Sequence, residues 1–194
     1  LLRKFKFWSK LIDIEIASIF FVNKMNERSF KMKDEGEALH MTYQIKKAAV
    51  LGSGVMGSGI AAHLANIGIP TLLLDIVPKE VSKDEEAKGL TIEHPTVRNK
   101  FAGTAIQKLL KQKPAPLSAK KNLQLITAGN LEDDLEKLKD VDWIIEVVVE
   151  NLEIKKSLYE RIDAIRKSGT IISSNTSGIS INAMVEGRSE DFGK

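Results

Sequence analysis

Short apolar runs alternate with helical patterns along most of the chain. The run AAVL at 48–51 is followed by apolar residues at helical spacing that end at Gly68, and a second run, TLLLD, covers 71–75. This order predicts a strand, a tight turn, a helix and a second strand that pairs in parallel with the first. Later runs, LQLIT, DWIIEVVV and TIISS, predict further strands at 123–127, 142–149 and 170–174.

The segments between these strands are polar or amphipathic. Helical character extends over 97–111 and stops at the breaker KQKPAPLS, and a charged helical segment precedes the run at 142–149. Beyond that run, apolar residues at spacings of four, four and three predict an amphipathic helix before Gly169: Ile154, Leu158, Ile162 and Ile165. The whole pattern predicts an α/β fold, a Rossmann-type doubly wound parallel sheet with flanking helices.

The first 40 residues do not continue this pattern. They begin with a basic and apolar stretch that loosely has the layout of a secretory signal, but Asp13 and Glu15 interrupt it. The uncharged run at 16–22 is too short to span a bilayer, and no small-residue cleavage site follows. We therefore expect no membrane segment, an N-terminal extension at 1–40 outside the fold, and one domain at 41–194.

The amino-acid composition of the chain excludes several classes of function. The net charge of a 194-residue chain is only +3, so nothing predicts a nucleic-acid surface. Cysteine is absent, which excludes a disulfide framework and a thiolate metal site and fits a reducing compartment. We expect a cytoplasmic protein without a metal centre.

The stretch VLGSGVMGSGIAAHLANIG places Gly52, Gly54 and Gly57 on the spacing G-x-G-x-x-G, with Val55 and Met56 between the last two. In a dinucleotide-binding unit, the first glycine permits the tight turn, the second admits the pyrophosphate, and the third lets the helix pack on the strand. The N-terminus of the helix then offers N–H groups and partial positive charge to the phosphates. An ordinary glycine-rich loop is the alternative interpretation.

A carboxylate completes this fingerprint. Asp75 ends the second predicted strand, where it can accept the ribose hydroxyls of an adenosine. Its charge disfavours the 2′-phosphate of NADP, and the residues at 76–78 include no arginine. The sequence therefore predicts NAD as the cofactor, against the alternative that Asp75 only caps a loop.

Further polar residues follow the last two predicted strands, at the edge where ligands bind in this architecture: Glu150, Asn151, Asn175, Thr176 and Ser177. The nicotinamide half of the cofactor is expected across them. The alternative is that they are loop and helix-capping residues.

Three segments carry a family resemblance: AVLGSGVMGSGIAAHLA, VVVENLEIKKSLYERID and TIISSNTSGISI. Together they resemble the NAD-binding domain of the L-3-hydroxyacyl-CoA dehydrogenases of fatty-acid β-oxidation, over about 45–192. The resemblance implies oxidation of the 3-hydroxyl of an acyl-CoA to a ketone, with hydride transfer to NAD.

The resemblance also implies roles for individual residues. Glu150 and Lys155 match residues that line the cofactor, Ser177 matches the serine that touches the substrate hydroxyl and the nicotinamide, and Asn175 matches its neighbour. Lys108 and Lys111 are expected, from a loose alignment, to meet the CoA phosphates. Gly178 stands where family members often have serine or threonine.

The family's general base is a histidine in an HFFNP-like motif, which these residues do not contain, and His40, His63 and His94 are interpreted as surface or packing residues. We therefore expect a domain that is incomplete at its C-terminus, without the family's C-terminal helical domain, and inactive alone. A homodimer is expected only where that helical domain is present. The alternatives are a non-catalytic NAD-binding module and a different Rossmann-type dehydrogenase.

Overall fold

A computed structural model describes residues 44–192, and the interpretation of 1–40 as an extension lies outside the described residues. The fold lies within the unit Ile45–Lys194. Its centre is a parallel sheet with the strand order β3-β2-β1-β4-β5. The strands are β1 Ala48–Leu51, β2 Thr71–Asp75, β3 Ile126–Asn130, β4 Trp143–Glu146 and β5 Ile171–Ser174.

The register of the sheet is set around β1. Ala48 lies opposite Thr71 of β2 and opposite Trp143 of β4, while Ile126 of β3 continues the same row beside Thr71. The strand order reverses direction between β1 and β4, and ligands of doubly wound sheets bind at that point. The predicted fold class is confirmed.

Helices cover both faces of the sheet. On one face, α1 and α4 pack against β1, β2 and β3, and on the other face α5 and α6 close a core around Leu51, Leu74 and Ile144. The α-helices are α1 Val55–Asn66, α2 Lys83–Glu86, α3 Pro95–Arg98, α4 Lys100–Leu109, α5 Leu152–Ile165 and α6 Ile181–Val185. Among residues 44–192, no helix is long and apolar enough to cross a membrane.

Two of the predicted strands differ from the structure by more than one residue. The residues Lys120–Leu125 form a 3₁₀ helix, and β3 begins only at Ile126, because its pairing partner β2 fixes where the ladder starts. Gly129 falls inside β3, where a Cβ atom would lie 2.7 Å from the Leu74 side chain. The predicted strand at 142–149 pairs only over Trp143–Glu146, and the charged segment before it is the 3₁₀ helix Leu135–Asp140.

The buried face of α5 is shifted from the predicted one. Ile154 is 48% exposed, whereas the neighbouring Lys155 is fully buried with Leu158, Tyr159 and Ile162. The apolar spacing of four, four and three therefore identified the helix but assigned its first turn to the wrong face. The physical reason is the ion pair that Lys155 makes beneath the helix, described below.

Candidate functional site

The glycine loop lies where β1 meets β4, at the reversal of the strand order. Gly52 has φ 108°, and a Cβ atom there would lie 2.5 Å from the carbonyl oxygen of Val147, just beyond β4. Its amide donates to the Leu74 carbonyl at 2.7 Å, which ties the turn to β2. A side chain at position 52 is therefore excluded by backbone, as the tight-turn role requires.

Gly57 and Gly54 differ in what surrounds them. A Cβ atom on Gly57 would collide with the carbonyl oxygen of Gly52, so this glycine permits the contact between α1 and the loop. A Cβ atom on Gly54 would meet nothing within 4 Å. The protein's own packing thus gives no reason for glycine at position 54, and the open space beside it fits a ligand that approaches the backbone closely.

The N-terminus of α1 is open to an anion. Gly54 is the N-cap, no side chain caps the helix, and its first turn contains no acidic residue. Val55 is 78% exposed, and Met56 is half-buried. Free N–H groups and the partial positive charge at a helix start favour a phosphate at this position.

Asp75 reaches the loop from the end of β2. Its Oδ2 atom accepts from the amide of Ser53 at 2.7 Å and also from the Ser53 hydroxyl. Its Oδ1 atom accepts from the amide of Ile76 at 2.7 Å. The predicted pair of glycine loop and carboxylate is therefore assembled at one place, with Ser53 as a link that the sequence did not indicate.

The segment after β5 is held by Glu150. The Oε1 atom of Glu150 accepts from the Thr176 hydroxyl at 2.6 Å, from the Gly178 amide at 2.9 Å and from the Ser177 amide at 3.1 Å. The Thr176 hydroxyl, the Gly178 amide and the Ser177 amide, with the nearby Lys155 charge, lower the pKa of Glu150 to about 2 against a smaller opposing effect of desolvation. Glu150 is ionised in this arrangement and fixes the loop that carries Ser177.

Beneath this loop lies a buried polar network. Lys155 Nζ donates to both oxygens of Glu146, at 2.7 and 2.8 Å, and both side chains are fully buried. Ser174 donates to Glu146 Oε2 at 2.5 Å, and the Tyr159 hydroxyl lies 3.3 Å from the same atom. Burial raises the pKa of Tyr159, so its hydroxyl stays protonated.

Glu146 and Tyr159 were missed in the sequence. The available signal was a lone carboxylate inside the otherwise apolar run at 142–149, since a charge in a strand buried on both faces needs a partner. The partner of Glu146 is Lys155, on the first turn of α5. Lys155 also lies 3.5 Å from Glu150. The Lys155 ammonium group thus contacts two carboxylates and is fully buried.

The remaining predicted polar residues lie at the carboxyl edge. Asn175 and Ser177 are exposed, and the amide of Asn175 donates to the Glu146 carbonyl at 2.8 Å. Asn151 is the N-cap of α5, and its side chain accepts from the Ile154 amide at 3.1 Å. For Asn151, the capping interpretation holds.

Lys108 lies in the last turn of α4, and Lys111 follows that helix. The helix α4 starts beside Asn99, whose side chain accepts from Asn130 at the end of β3. The chain beyond α4 returns to Asn66 at the end of α1, where Asn66 Nδ2 donates to the Pro116 carbonyl at 2.9 Å. The expected contact of Lys108 and Lys111 with the CoA phosphates stays a prediction.

Of the histidines in the described part of the chain, neither His63 nor His94 joins the site. His63 lies in the last turn of α1, and His94 is the N-cap of α3, where its Nδ1 atom accepts from the Thr96 amide. His40 lies outside the described residues. Within 44–192, no group of three or more His, Cys, Asp or Glu side chains is arranged to hold a metal ion.

Comparison with known proteins identifies the family that this chain matches. The family described as 3-hydroxyacyl-CoA dehydrogenase, NAD binding domain, matches residues 47–192. A probable 3-hydroxyacyl-CoA dehydrogenase of Bacillus subtilis is 66% identical over 152 residues, which cover 78% of this chain and 19% of the relative. A similarly named protein of Deinococcus radiodurans is 48% identical over 149 residues, which cover 77% of this chain and 39% of the relative.

The fold has solved counterparts in the same family. The (S)-3-hydroxybutyryl-CoA dehydrogenase of Ralstonia eutropha has a TM-score of 0.53 at 25% identity, over 73% of this chain and 44% of that chain. The 3-hydroxybutyryl-CoA dehydrogenase of Escherichia coli has a TM-score of 0.52 at 26% identity, over 75% of this chain and 28% of that chain. The chain therefore spans less than half the length of each of these four proteins.

Proposed function

This chain belongs to the 3-hydroxyacyl-CoA dehydrogenase family through its NAD-binding domain, and we propose that it is the cofactor-binding part of an enzyme that oxidises (S)-3-hydroxyacyl-CoA to 3-oxoacyl-CoA in fatty-acid β-oxidation. The observation that carries the proposal is the arrangement around Gly54. Open space beside this glycine adjoins the uncapped start of α1, and the carboxylate of Asp75 is bound to the same loop. When bound, NAD supplies the hydride acceptor for the reaction.

Each part of the site has a separate task in this proposal. The start of α1 at Val55, Met56 and Gly57 binds the pyrophosphate, and Asp75 binds the adenosine ribose and disfavours a 2′-phosphate. Glu150 holds the backbone at 176–178, so that the exposed Ser177 hydroxyl faces the substrate hydroxyl. Asn175 lies beside it on the same edge.

Removal of the hydroxyl proton requires a base, and none of the residues placed at this edge is suited to that task. Glu150 is committed to three donors and has a pKa of about 2, which makes it a weak base. His63 and His94 lie in other parts of the fold. We propose that the base and much of the acyl-CoA pocket come from sequence that these 194 residues do not contain, and that the whole enzyme works in the cytoplasm.

A domain exchange tests the proposal. Residues 45–192 replace the matching segment of the Bacillus subtilis relative, and NADH formation from 3-hydroxyacyl-CoA is measured by absorbance. We expect the hybrid enzyme to be active and the same hybrid carrying Gly54→Val to be folded but inactive. A hybrid that folds, binds NADH and still forms no product would contradict the proposed role.

A further inference from the structure

Ser53 is bound to Asp75 through two separate donors. Its amide and its hydroxyl both donate to Oδ2, while the amide of Ile76 donates to Oδ1. The Ser53 side chain is buried, so its hydroxyl has little access to water. The carboxylate thus holds three hydrogen bonds from the protein itself.

A carboxylate can accept only a limited number of hydrogen bonds. Its two oxygens offer about four lone-pair positions in all. Two donors from Ser53 fill the positions on Oδ2, and the Ile76 amide fills one on Oδ1. One position is left, whereas the adenosine ribose of NAD presents two adjacent hydroxyl donors.

The three donors differ in their freedom to move. The Ser53 amide belongs to the turn that Gly52 fixes through its bond to the Leu74 carbonyl, and the Ile76 amide follows Asp75 directly in the chain. The Ser53 hydroxyl is attached through one side-chain torsion and can rotate among staggered positions without any change in the backbone. It is the one donor that can leave Asp75 without a change in the backbone.

We propose that the Ser53 hydroxyl is an internal competitor of the ribose: it occupies the Asp75 position that the second ribose hydroxyl needs, and it rotates away when NAD binds. This inference rests on the proposed function, because it requires Asp75 to bind the ribose. Ser53 is then a residue that sets cofactor affinity from inside the glycine loop, and its removal strengthens binding.

The test is the affinity of Ser53→Ala for NADH, measured by isothermal titration calorimetry on the 194-residue chain. The variant should bind NADH about two- to tenfold more tightly than the wild type, the factor that one hydrogen bond of ordinary net strength represents. The gain should vanish with the NADH analogue whose adenosine ribose lacks the 2′-hydroxyl, since one free position on Asp75 suffices for one donor.

Two further variants separate the causes. Ser118→Ala removes a hydroxyl that donates to Asn66 at the far end of α1, and it should leave the affinity for NADH unchanged. In an Asp75→Ala background, Ser53→Ala should have no effect on the affinity. Circular dichroism confirms that each variant is folded.

The possible results distinguish failure of this inference from failure of the proposed function. Unchanged or weaker NADH binding by a folded Ser53→Ala variant would overturn the inference and leave the proposed function standing, since the hydroxyl would then support Asp75 in the complex. An equal gain with the 2′-deoxy analogue would overturn it too. If the wild-type chain bound no NADH at all, the proposed function itself would fail, and the inference with it.

Discussion

The ammonium group of Lys155 lies 2.7 Å from a carboxylate oxygen of Glu146, and both side chains are fully buried. This pair joins the end of β4 to the first turn of α5, directly beneath the loop that carries Ser177. Removing one partner of a buried pair leaves an uncompensated charge, which costs far more than the net stability of the intact pair. The candidate site is therefore built over a buried ion pair.

The first prediction concerns this pair. Lys155→Met should lower the free energy of unfolding by about 3 to 5 kcal/mol, because Glu146 would remain buried without its counter-charge. Chemical denaturation measures the change. The neighbouring Lys156→Met is the matched control, since Lys156 pairs with the exposed Glu186 and should change stability little. Equal losses for the two variants would contradict the role assigned to the buried pair.

The second prediction separates two glycines of the loop. Gly54→Val should abolish NADH binding while the chain remains folded, because the new side chain fills open space that the cofactor needs. Gly57→Val should instead destabilise the fold by about 1 to 3 kcal/mol or more, since its side chain meets the Gly52 carbonyl. Circular dichroism and calorimetry on both variants check the contrast. Global unfolding of Gly54→Val would favour a structural glycine there.

The third prediction is a pH dependence at Glu150. Its pKa is lowered from the ordinary value of 4.5 to about 2, chiefly by the bond from Thr176 and next by the bond from the Gly178 amide. A lowered pKa in the folded state means that the carboxylate stabilises the fold above pH 4.5, and that this contribution is lost as the pH falls toward 2.

The variant Glu150→Gln isolates this effect. The wild type should melt at a higher temperature than the variant near neutral pH, and the difference should shrink as the pH falls from 5 to 3. Melting curves at several pH values measure it. A difference that stayed constant across this range would show that the charge of Glu150 does not hold the loop.

The fourth prediction concerns turnover. The 194-residue chain, mixed with NAD and a 3-hydroxyacyl-CoA, should bind cofactor without measurable NADH formation. A positioned base contributes about 10² to 10⁴-fold, and the residues at the carboxyl edge include none that is suited. Orientation of the substrate is a further loss without the rest of the pocket. Turnover near one per second, about the low end for ordinary enzymes, would show that a base exists within these residues.

The sequence predicted a structural feature correctly where residues nearby in the chain determine that feature. The glycine at 57 was interpretable because the Gly52 carbonyl, within the same strand-turn-helix unit, excludes a side chain there. The start of β3 was not, because the pairing with β2 fixes it and the apolar Leu125 and Ile126 stand side by side across the boundary. Local periodicity cannot distinguish the 3₁₀ residues from the strand residues.

The polar contacts of the site also differ in whether the sequence could predict them. Asp75 followed from its place at the end of a strand after the glycine loop, but the Ser53 link requires the loop to fold back on it. Likewise, the burial of Lys155 results from the approach of α5 to β4, and its position among the apolar residues of α5 gave no sign of that. Contacts between elements distant in the chain need the fold before they can be named.

Titration of the wild-type chain with NADH and with NADPH tests the central claim most directly. The carboxylate of Asp75 and the absence of an arginine at 76–78 predict that NADH binds and that NADPH binds far more weakly. In Asp75→Ala, binding of NADH should weaken by about 1 to 3 kcal/mol, and the discrimination against NADPH should shrink. Comparable affinities of the wild type for the two cofactors, or an unchanged affinity for NADH in Asp75→Ala, would contradict the account.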